Sequence, residues 1–304
     1  MRASTLFLTL LLLLGYNGLA AEKPAFELLQ PADKSIVKEG YISVIIKVND
    51  RSVKDPHILS YDGSRMPLLL EEGKETYCQT LKLRYGKNKI RVRWQNAKGK
   101  LIEQTSEFYF TTPAYKTFQH IPKQFSTRPF HTPAQEALCA KCHDMSVNEK
   151  KGFAFINIEE SNCYDCHKAI TSEKVGHAPS VNWLCMSCHK EDKTAAAGAS
   201  RFPTPERVDE TCYLCHTTNK ELWEKRRYKH QPEAGGKCNK CHNSHASENE
   251  FFLRKPVESL CTGCHGMQKV LERRSAQCFG SHCTDCHNPH ATDRAFFIKQ
   301  DYKP

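Results

Sequence analysis

The sequence predicts two unlike domains: a β-sandwich over residues 22–113, then a mostly irregular domain of short helices over 114–304 that must pack around covalently attached groups. Three observations carry this expectation. Short runs of alternating apolar and polar residues fill the first part, and no continuous apolar pattern runs through the second. The second part also repeats the pattern C-x-x-C-H seven times.

Before the first domain, residues 1–20 read as a signal peptide: Arg2, an apolar run from Leu6 to Leu14, and small residues at Gly18, Ala20 and Ala21, with cleavage after Ala20. The run is shorter than the roughly 20 apolar residues that a membrane span needs. No cysteine stands near the cleavage point to take a lipid, and an uncleaved anchor is the alternative. The expected location is periplasmic, secreted or on the outer cell surface.

In the first domain the predicted strands are Tyr41 to Val48, Ile58 to Tyr61, Met66 to Leu70, Tyr77 to Leu83, Ile90 to Trp94 and Phe108 to Phe110. Asp62-Gly63 and the stretch Tyr85-Gly86-Lys87-Asn88 supply turn chemistry. Ile90, Val92 and Trp94 should face one way, and Lys89, Arg91 and Arg93 the other. The run LRYGKNKIRVRWQNAKGK resembles bacterial immunoglobulin-like modules, which implies a docking or spacing role without chemistry.

The seven motifs decide the chemistry of the second domain. They are Cys139-x-x-Cys142-His143, Cys163-x-x-Cys166-His167, Cys185-x-x-Cys188-His189, Cys212-x-x-Cys215-His216, Cys238-x-x-Cys241-His242, Cys261-x-x-Cys264-His265 and Cys283-x-x-Cys286-His287. Sixteen cysteines in a secreted chain ordinarily suggest a disulfide framework. A redox dithiol or half a zinc site would explain a C-x-x-C pair, yet neither needs a histidine straight after it. The full pattern is that of c-type haem attachment: two thiols one turn apart add to the vinyl groups of one porphyrin, and the adjoining imidazole reaches the iron. Seven covalent haem c groups are therefore expected, and no catalytic side chain is assigned.

Each haem iron has a second axial position. Eight histidines lie outside the motifs: His57, far upstream, and His120, His131, His177, His230, His245, His282 and His290. The last seven match the haem count and point to bis-histidine ligation, while His57 reads as a structural residue. His131, His177 and His230 each begin a His-x-Pro element eight residues before a first cysteine. His245 and His290 each stand three residues after a motif histidine, in CHNSH and CHNPH, and could serve an adjacent haem. His120 and His282 have no such repeat, and Met145, Met186 and Met267 are the alternative ligands.

The His-x-Pro elements recur about every fifty residues with two motifs between them, an internal repeat that makes three modules and a terminal half-module. The stretch HQPEAGGKCNKCHNSHASENEFFLRKPVESLCTGCH, from His230 to His265, resembles the doubled C-x-x-C-H family of multihaem cytochromes, a resemblance that covers roughly residues 120 to 295. It implies closely stacked haems and a periplasmic or outer-surface electron carrier that exchanges electrons with other cytochromes or membrane electron-transfer complexes. The first two modules depart from it, with Ser146 and Asp192 where CHNxH would place histidine.

Helical patches are expected at Asn219 to Tyr228 and Ser259 to Arg274, and about 27 residues serve each haem, so porphyrin must supply most of the buried apolar surface. The formal charge of +10 would suit nucleic acid or an anionic surface, but seven haems, each with two propionates against a ferric core, add about −7. No nucleic-acid partner is inferred. The leading function is an electron conduit, with assembly into a filament or other homo-oligomer as a variant. The alternative is a reductase of nitrite, hydroxylamine or a sulfur oxyanion, which needs one open iron. Cys78 should point away from the sandwich core, and a Cys78–Cys278 disulfide is the competing expectation to two separate thiols.

Overall fold

The computed structural model describes residues 24–112, 120–147, 161–203, 207–266 and 282–303. The leader, Met267, Cys278 with its expected disulfide, and the helical patch beyond residue 266 lie outside the described residues.

Residues 24–112 and 120–127 build two sheets. One holds β1 (Phe26–Gln30), β3 (Tyr41–Val48) and β6 (Thr76–Lys82) in the order β1-β3-β6. The other holds β2 (Ser35–Val37), β4 (Lys54–Leu59), β5 (Arg65–Pro67), β7 (Gly86–Gln95), β8 (Leu101–Phe110) and β9 (Ser126–Thr127) in the order β5-β4-β7-β8-β2-β9. Pairing is antiparallel except at β2, which runs parallel to both β8 and β9. One apolar cluster serves both sheets: Phe26, Val44, Ile46, Tyr77 and Leu81 from the first meet Ile58, Ile90, Val92, Trp94, Phe108 and Phe110 from the second. Phe26 and Trp94 close it edge to face, with ring centres 5.0 Å apart.

The alternation expected in β7 is present, with Ile90, Val92 and Trp94 all but fully buried. The predicted strand β3 has the observed bounds. The turn expected at Tyr85 to Asn88 is present but lies earlier, at residues 83–85 between β6 and β7: Gly86, at φ +95°, opens β7, and Asn88 is buried inside that strand with its amide donating to the Arg84 and Gly86 carbonyls, which closes the corner. Asp62-Gly63 does form a turn, with Gly63 at φ +83° and Asp62 accepting from the Ser64 N–H at 2.9 Å. Hydrogen bonds from Ser60 and Ser64 hold the Asp62 carboxyl down to about 2.

Phe108 is fully buried between the sheets. Phe108→Ala is expected to cost about 3–5 kcal/mol through lost burial and a residual cavity. The check is a lower urea midpoint for Trp94 emission in the intact protein.

Beyond β9 the secondary structure is fragmentary. The helices are α1 (Pro133–Cys139), α2 (Tyr164–His167), α3 (Ala178–Val181), α4 (Asp209–Cys212), α5 (Thr217–Glu224), α6 (Gln231–Ala234), α7 (Val257–Thr262) and α8 (Cys283–Cys286). None is long and apolar enough to cross a membrane. Two-residue strands β10 (Val175–Gly176) and β12 (Ala246–Ser247) pair with each other, as do β11 (Tyr228–Lys229) and β13 (Ala291–Thr292). Among the described residues past Phe125, the buried apolar ones are Trp183, Ala246 and Ala291. The sheets touch this region through Tyr41, whose hydroxyl donates to Glu173 at 2.6 Å, and Lys82, 3.0 Å from the same carboxylate.

Candidate functional site

Each C-x-x-C-H motif is one helical turn. In all seven, the histidine N–H donates to the carbonyl of the first cysteine at 2.9–3.0 Å. That i to i+4 closure puts both thiols and the imidazole on one side of the turn, the arrangement that double thioether attachment with a proximal ligand requires.

The motifs follow one another in space as they do in sequence. The first cysteines of neighbouring motifs lie within hydrogen-bonding reach as Cys163/Cys185, Cys212/Cys238 and Cys261/Cys283. Between these contacts the chain brings Cys139 near Cys166, Cys188 near Cys215, and Cys241 near Cys264. Cys78 on β6 is exposed, as expected, and close to Cys139 and Cys142 of the first motif.

Five motif histidines each face one histidine from outside the motifs. The pairs are His167 with His131, at 5.9 Å between ring centres, His216 with His177 at 6.4 Å, His189 with His245 at 6.0 Å, His265 with His230 at 6.0 Å, and His242 with His290 at 5.9 Å. Ring planes lie within 10–21° of parallel in four pairs and at 32° in the His131 pair. Imidazoles in mutual van der Waals contact would sit closer. Two metal–nitrogen bonds of about 2 Å, plus about 1 Å from each nitrogen to its ring centre, place the centres about 6 Å apart. The five gaps therefore fit an iron held between two imidazoles.

Short pieces of backbone hold these pairs. The main chain of His177 donates to the His245 carbonyl at 3.0 Å, and that of His230 to the His290 carbonyl at 2.8 Å, next to the β10–β12 and β11–β13 pairings. A His-x-Pro histidine thus faces the second motif of its own module. The CHNxH histidine is locked beside it and faces the first motif of the preceding module. His245 and His290 face motifs two places back, not the immediate neighbours that sequence spacing suggested.

Three histidines have their other ring nitrogen engaged as ligation needs. Nδ1 of His177 lies 2.8 Å from the Ser244 carbonyl, Nδ1 of His242 is 2.7 Å from that of Phe251, and Nδ1 of His287 is 2.8 Å from that of Phe296. This fixes the tautomer that leaves Nε2 free for a metal. Burial pushes His167 and His290 down to about 4 and also lowers His177, His189 and His230, so these rings stay neutral, the ligating form.

A repeated phenylalanine pair, unread in the sequence analysis, belongs to the same framework. Phe251-Phe252 and Phe296-Phe297 all have φ between +54° and +59°, a costly conformation for bulky residues. In each pair the first residue's carbonyl meets the motif histidine. The second packs edge-on to a His-x-Pro ring, Phe252 on His177 at 5.1 Å and Phe297 on His230 at 5.5 Å. Phe202 packs in the same way on His131, at 5.1 Å. The visible signal was the recurrence FFLR and FFIK at one offset from CHNxH. Phe251 and Phe296 are 71% and 80% exposed in the bare polypeptide, and Leu214 is 67% exposed, apolar faces suited to a porphyrin.

The remaining histidines stand apart. Among the described ring contacts, His143 and His287 face no second imidazole. His143 has Asp165 at 3.5 Å from Nδ1, His282 is exposed with Nδ1 2.5 Å from Glu258, and His120 is exposed. The module rule accounts for the first gap: the first motif's partner would fall at Asp192. His57 is buried in β4 with Nδ1 2.8 Å from the Asp55 carbonyl, a structural residue. The backbone carbonyl of Met145 accepts from Arg201 at 3.2 Å.

Comparison with known proteins agrees with this chemistry. Residues 230–270 match the family model described as "Doubled CXXCH motif". The chain is 30% identical over 159 residues to the multiheme cytochrome MtrA of Shewanella baltica (strain OS185), covering 45% of each chain, so it spans about half the length of this relative. Among solved structures, the fibronectin(III)-like modules of Clostridium thermocellum CbhA share 15% identity over 29% of this chain and 97% of theirs, at a TM-score of 0.23. The superoxide reductase (neelaredoxin) of Ignicoccus hospitalis shares 18% over 30% and 83%, at 0.24. These scores are too low to assign a fold. The attachment turns, the match of residues 230–270 to the doubled CXXCH model and the similarity to MtrA together support a multihaem c-type cytochrome.

Proposed function

We propose that the protein is an electron conduit: a succession of seven covalent haems that takes electrons from one redox partner and delivers them to another. The observation that carries this is the set of five facing imidazole pairs, each joining a motif histidine to one outside the motifs. When bound, haem supplies one-electron exchange between ferric and ferrous iron. At the five pairs the chain would hold the iron from both sides, so that it changes charge with little rearrangement and offers substrate no position. The fourteen motif cysteines attach the porphyrins, and the seven motif histidines are the proximal ligands. His131, His177, His230, His245 and His290 are the distal ligands of the five pairs, and His120 and His282 are the histidines left for the irons at His143 and His287.

The finer reading of the amino-terminal region is an immunoglobulin-like sandwich that docks or spaces the haem-bearing part. Its shared apolar core and its contacts through Tyr41 and Lys82 support that reading. Other cytochromes or outer-membrane electron-transfer complexes are the expected partners, in the periplasm or at the outer cell surface, with no nucleic acid involved.

A second reading has one observation in its favour. A multihaem reductase needs an open iron, and His143 and His287 are the two motif histidines without a facing ring among the described residues. Low-temperature EPR of the oxidised holoprotein separates the two. The conduit predicts that all haems, counted by mass, are low-spin. A stoichiometric high-spin signal would overturn it and direct attention to nitrite and hydroxylamine as substrates.

A further inference from the structure

The first module holds its distal imidazole differently from the other two. His177 directs Nδ1 to the Ser244 carbonyl, and the His230 ring likewise bonds to main chain, that of Pro289. His131 directs Nδ1 to a carboxylate, Glu136 Oε1, at 2.9 Å. The positions equivalent to Glu136, five residues beyond His177 and His230, are Asn182 and Gly235, so the carboxylate is peculiar to the first module.

The local backbone is reset to make this contact. His131 lies at φ +59° with Thr132 capping α1, whereas His177 and His230 are themselves the caps of α3 and α6, at φ −75° and −67°. The one-residue shift swings the ring toward the helix it precedes. Glu136 is only 8% exposed, and its other oxygen accepts from Arg201 Nη1 at 2.5 Å. Arg201 Nη2 donates in turn to Glu191 at 2.7 Å, and the Arg201 main chain donates to the His131 carbonyl at 3.1 Å. Lys193, 3.9 Å from Glu191, balances that second carboxylate, so Glu136 is the anionic group in direct contact with the ring.

We propose that Glu136 sets a low reduction potential for the haem held between His131 and His167, an assignment that rests on the bis-histidine reading above. A carboxylate draws the Nδ1 proton more strongly than a neutral carbonyl and makes the opposite nitrogen a stronger donor. A stronger donor and a nearby negative charge both favour ferric over ferrous iron. The step concerned adds one electron, supplied by the redox partner, and neither makes nor breaks a bond. With this haem second in the succession, electrons cross it as an uphill step, which restricts entry from the amino-terminal end to strong reductants.

The test is a redox titration of the full-length holoprotein followed by low-temperature EPR, with H131A used to identify the signal of this haem. E136Q keeps the shape of the side chain and removes its charge. The expected result is a rise of about tenfold or more in the reduction constant of that haem, about 59 mV for one electron. The signal should remain low-spin and the other haems should stay within about threefold. A reduction constant that moves less than about threefold overturns the proposal. So does loss of the low-spin signal, which would show that Glu136 only positions the ring. If H131A removes no low-spin signal, the ligation reading itself fails, and this inference fails with it. Should E136Q load fewer haems than the wild type, R201Q takes its place: removing the counter-cation is expected to move the same signal to lower potential, and an unchanged potential overturns the proposal.

Discussion

Produced without haem attachment, the chain is expected to keep the two sheets of residues 24–112 and 120–127 and to lose ordered structure from α1 onward. The distribution of apolar burial dictates this. The sheets own a closed cluster that includes Phe26, Val44, Ile46, Val92 and Phe108, each fully buried. Among the described residues past Phe125, the buried apolar ones are Trp183, Ala246 and Ala291, while Leu138, Leu214, Leu222, Phe251 and Phe296 stand exposed. Ordering a residue costs about 1–2 kcal/mol of backbone entropy. One-turn helices and two-residue strands offer too little burial to offset it. Cysteine-to-alanine replacement at all fourteen motif positions, or expression without the attachment machinery, should leave slow amide exchange in β3, β6, β7 and β8 and fast exchange throughout α1 to α8. Protection of β10 to β13 in the apo chain would show a folded scaffold that precedes haem. By the same logic haem attachment is a folding step, as metal binding is for small zinc domains.

Much of the site was legible because its chemistry is local. C-x-x-C-H closes within one turn, His-x-Pro recurs at a constant offset, and CHNxH repeats twice, so the ligand set could be drawn up residue by residue. The pairing was not legible. His245 faces His189 and His290 faces His242, each across two motifs, and the register comes from β10–β12 and β11–β13, strands of two residues with no periodicity to read. Phe251-Phe252 and Phe296-Phe297 were missed because consecutive left-handed phenylalanines satisfy neither a helix nor a strand pattern. Once the pairing is known, Asp192 explains itself, since it occupies the place from which a histidine would have served the first motif. In the sheets, long alternating strands such as β3 and β7 were plain. The short strands β1, β2 and β9 were not, because two to five residues hardly distinguish a strand from a loop. Glu136 was also invisible: only the shifted cap at Thr132 brings it to His131.

Replacing His290 gives the sharpest expected change at a single site. Its ring faces His242 across 5.9 Å and stacks on Trp223 at 4.2 Å and 14°, an indole wall that fixes the imidazole plane. Burial holds it neutral, down to about 4. His290→Ala removes the sixth ligand of one iron, and no other histidine ring is available there, because His230 already faces His265. One haem should turn high-spin in the ferric state and bind carbon monoxide in the ferrous state, with the others unchanged. His57→Ala is the matched control: it should leave every haem low-spin and lower the urea midpoint of the sheets, because His57 is buried in β4 and bonded to the Asp55 carbonyl. If His290→Ala keeps all haems low-spin, the facing geometry reflects packing alone, and the other four pairs lose their claim to ligation by the same argument. If His57→Ala produces the high-spin signal instead, the sheets supply an axial ligand, and the division between the sheet region and the haem-bearing region no longer holds.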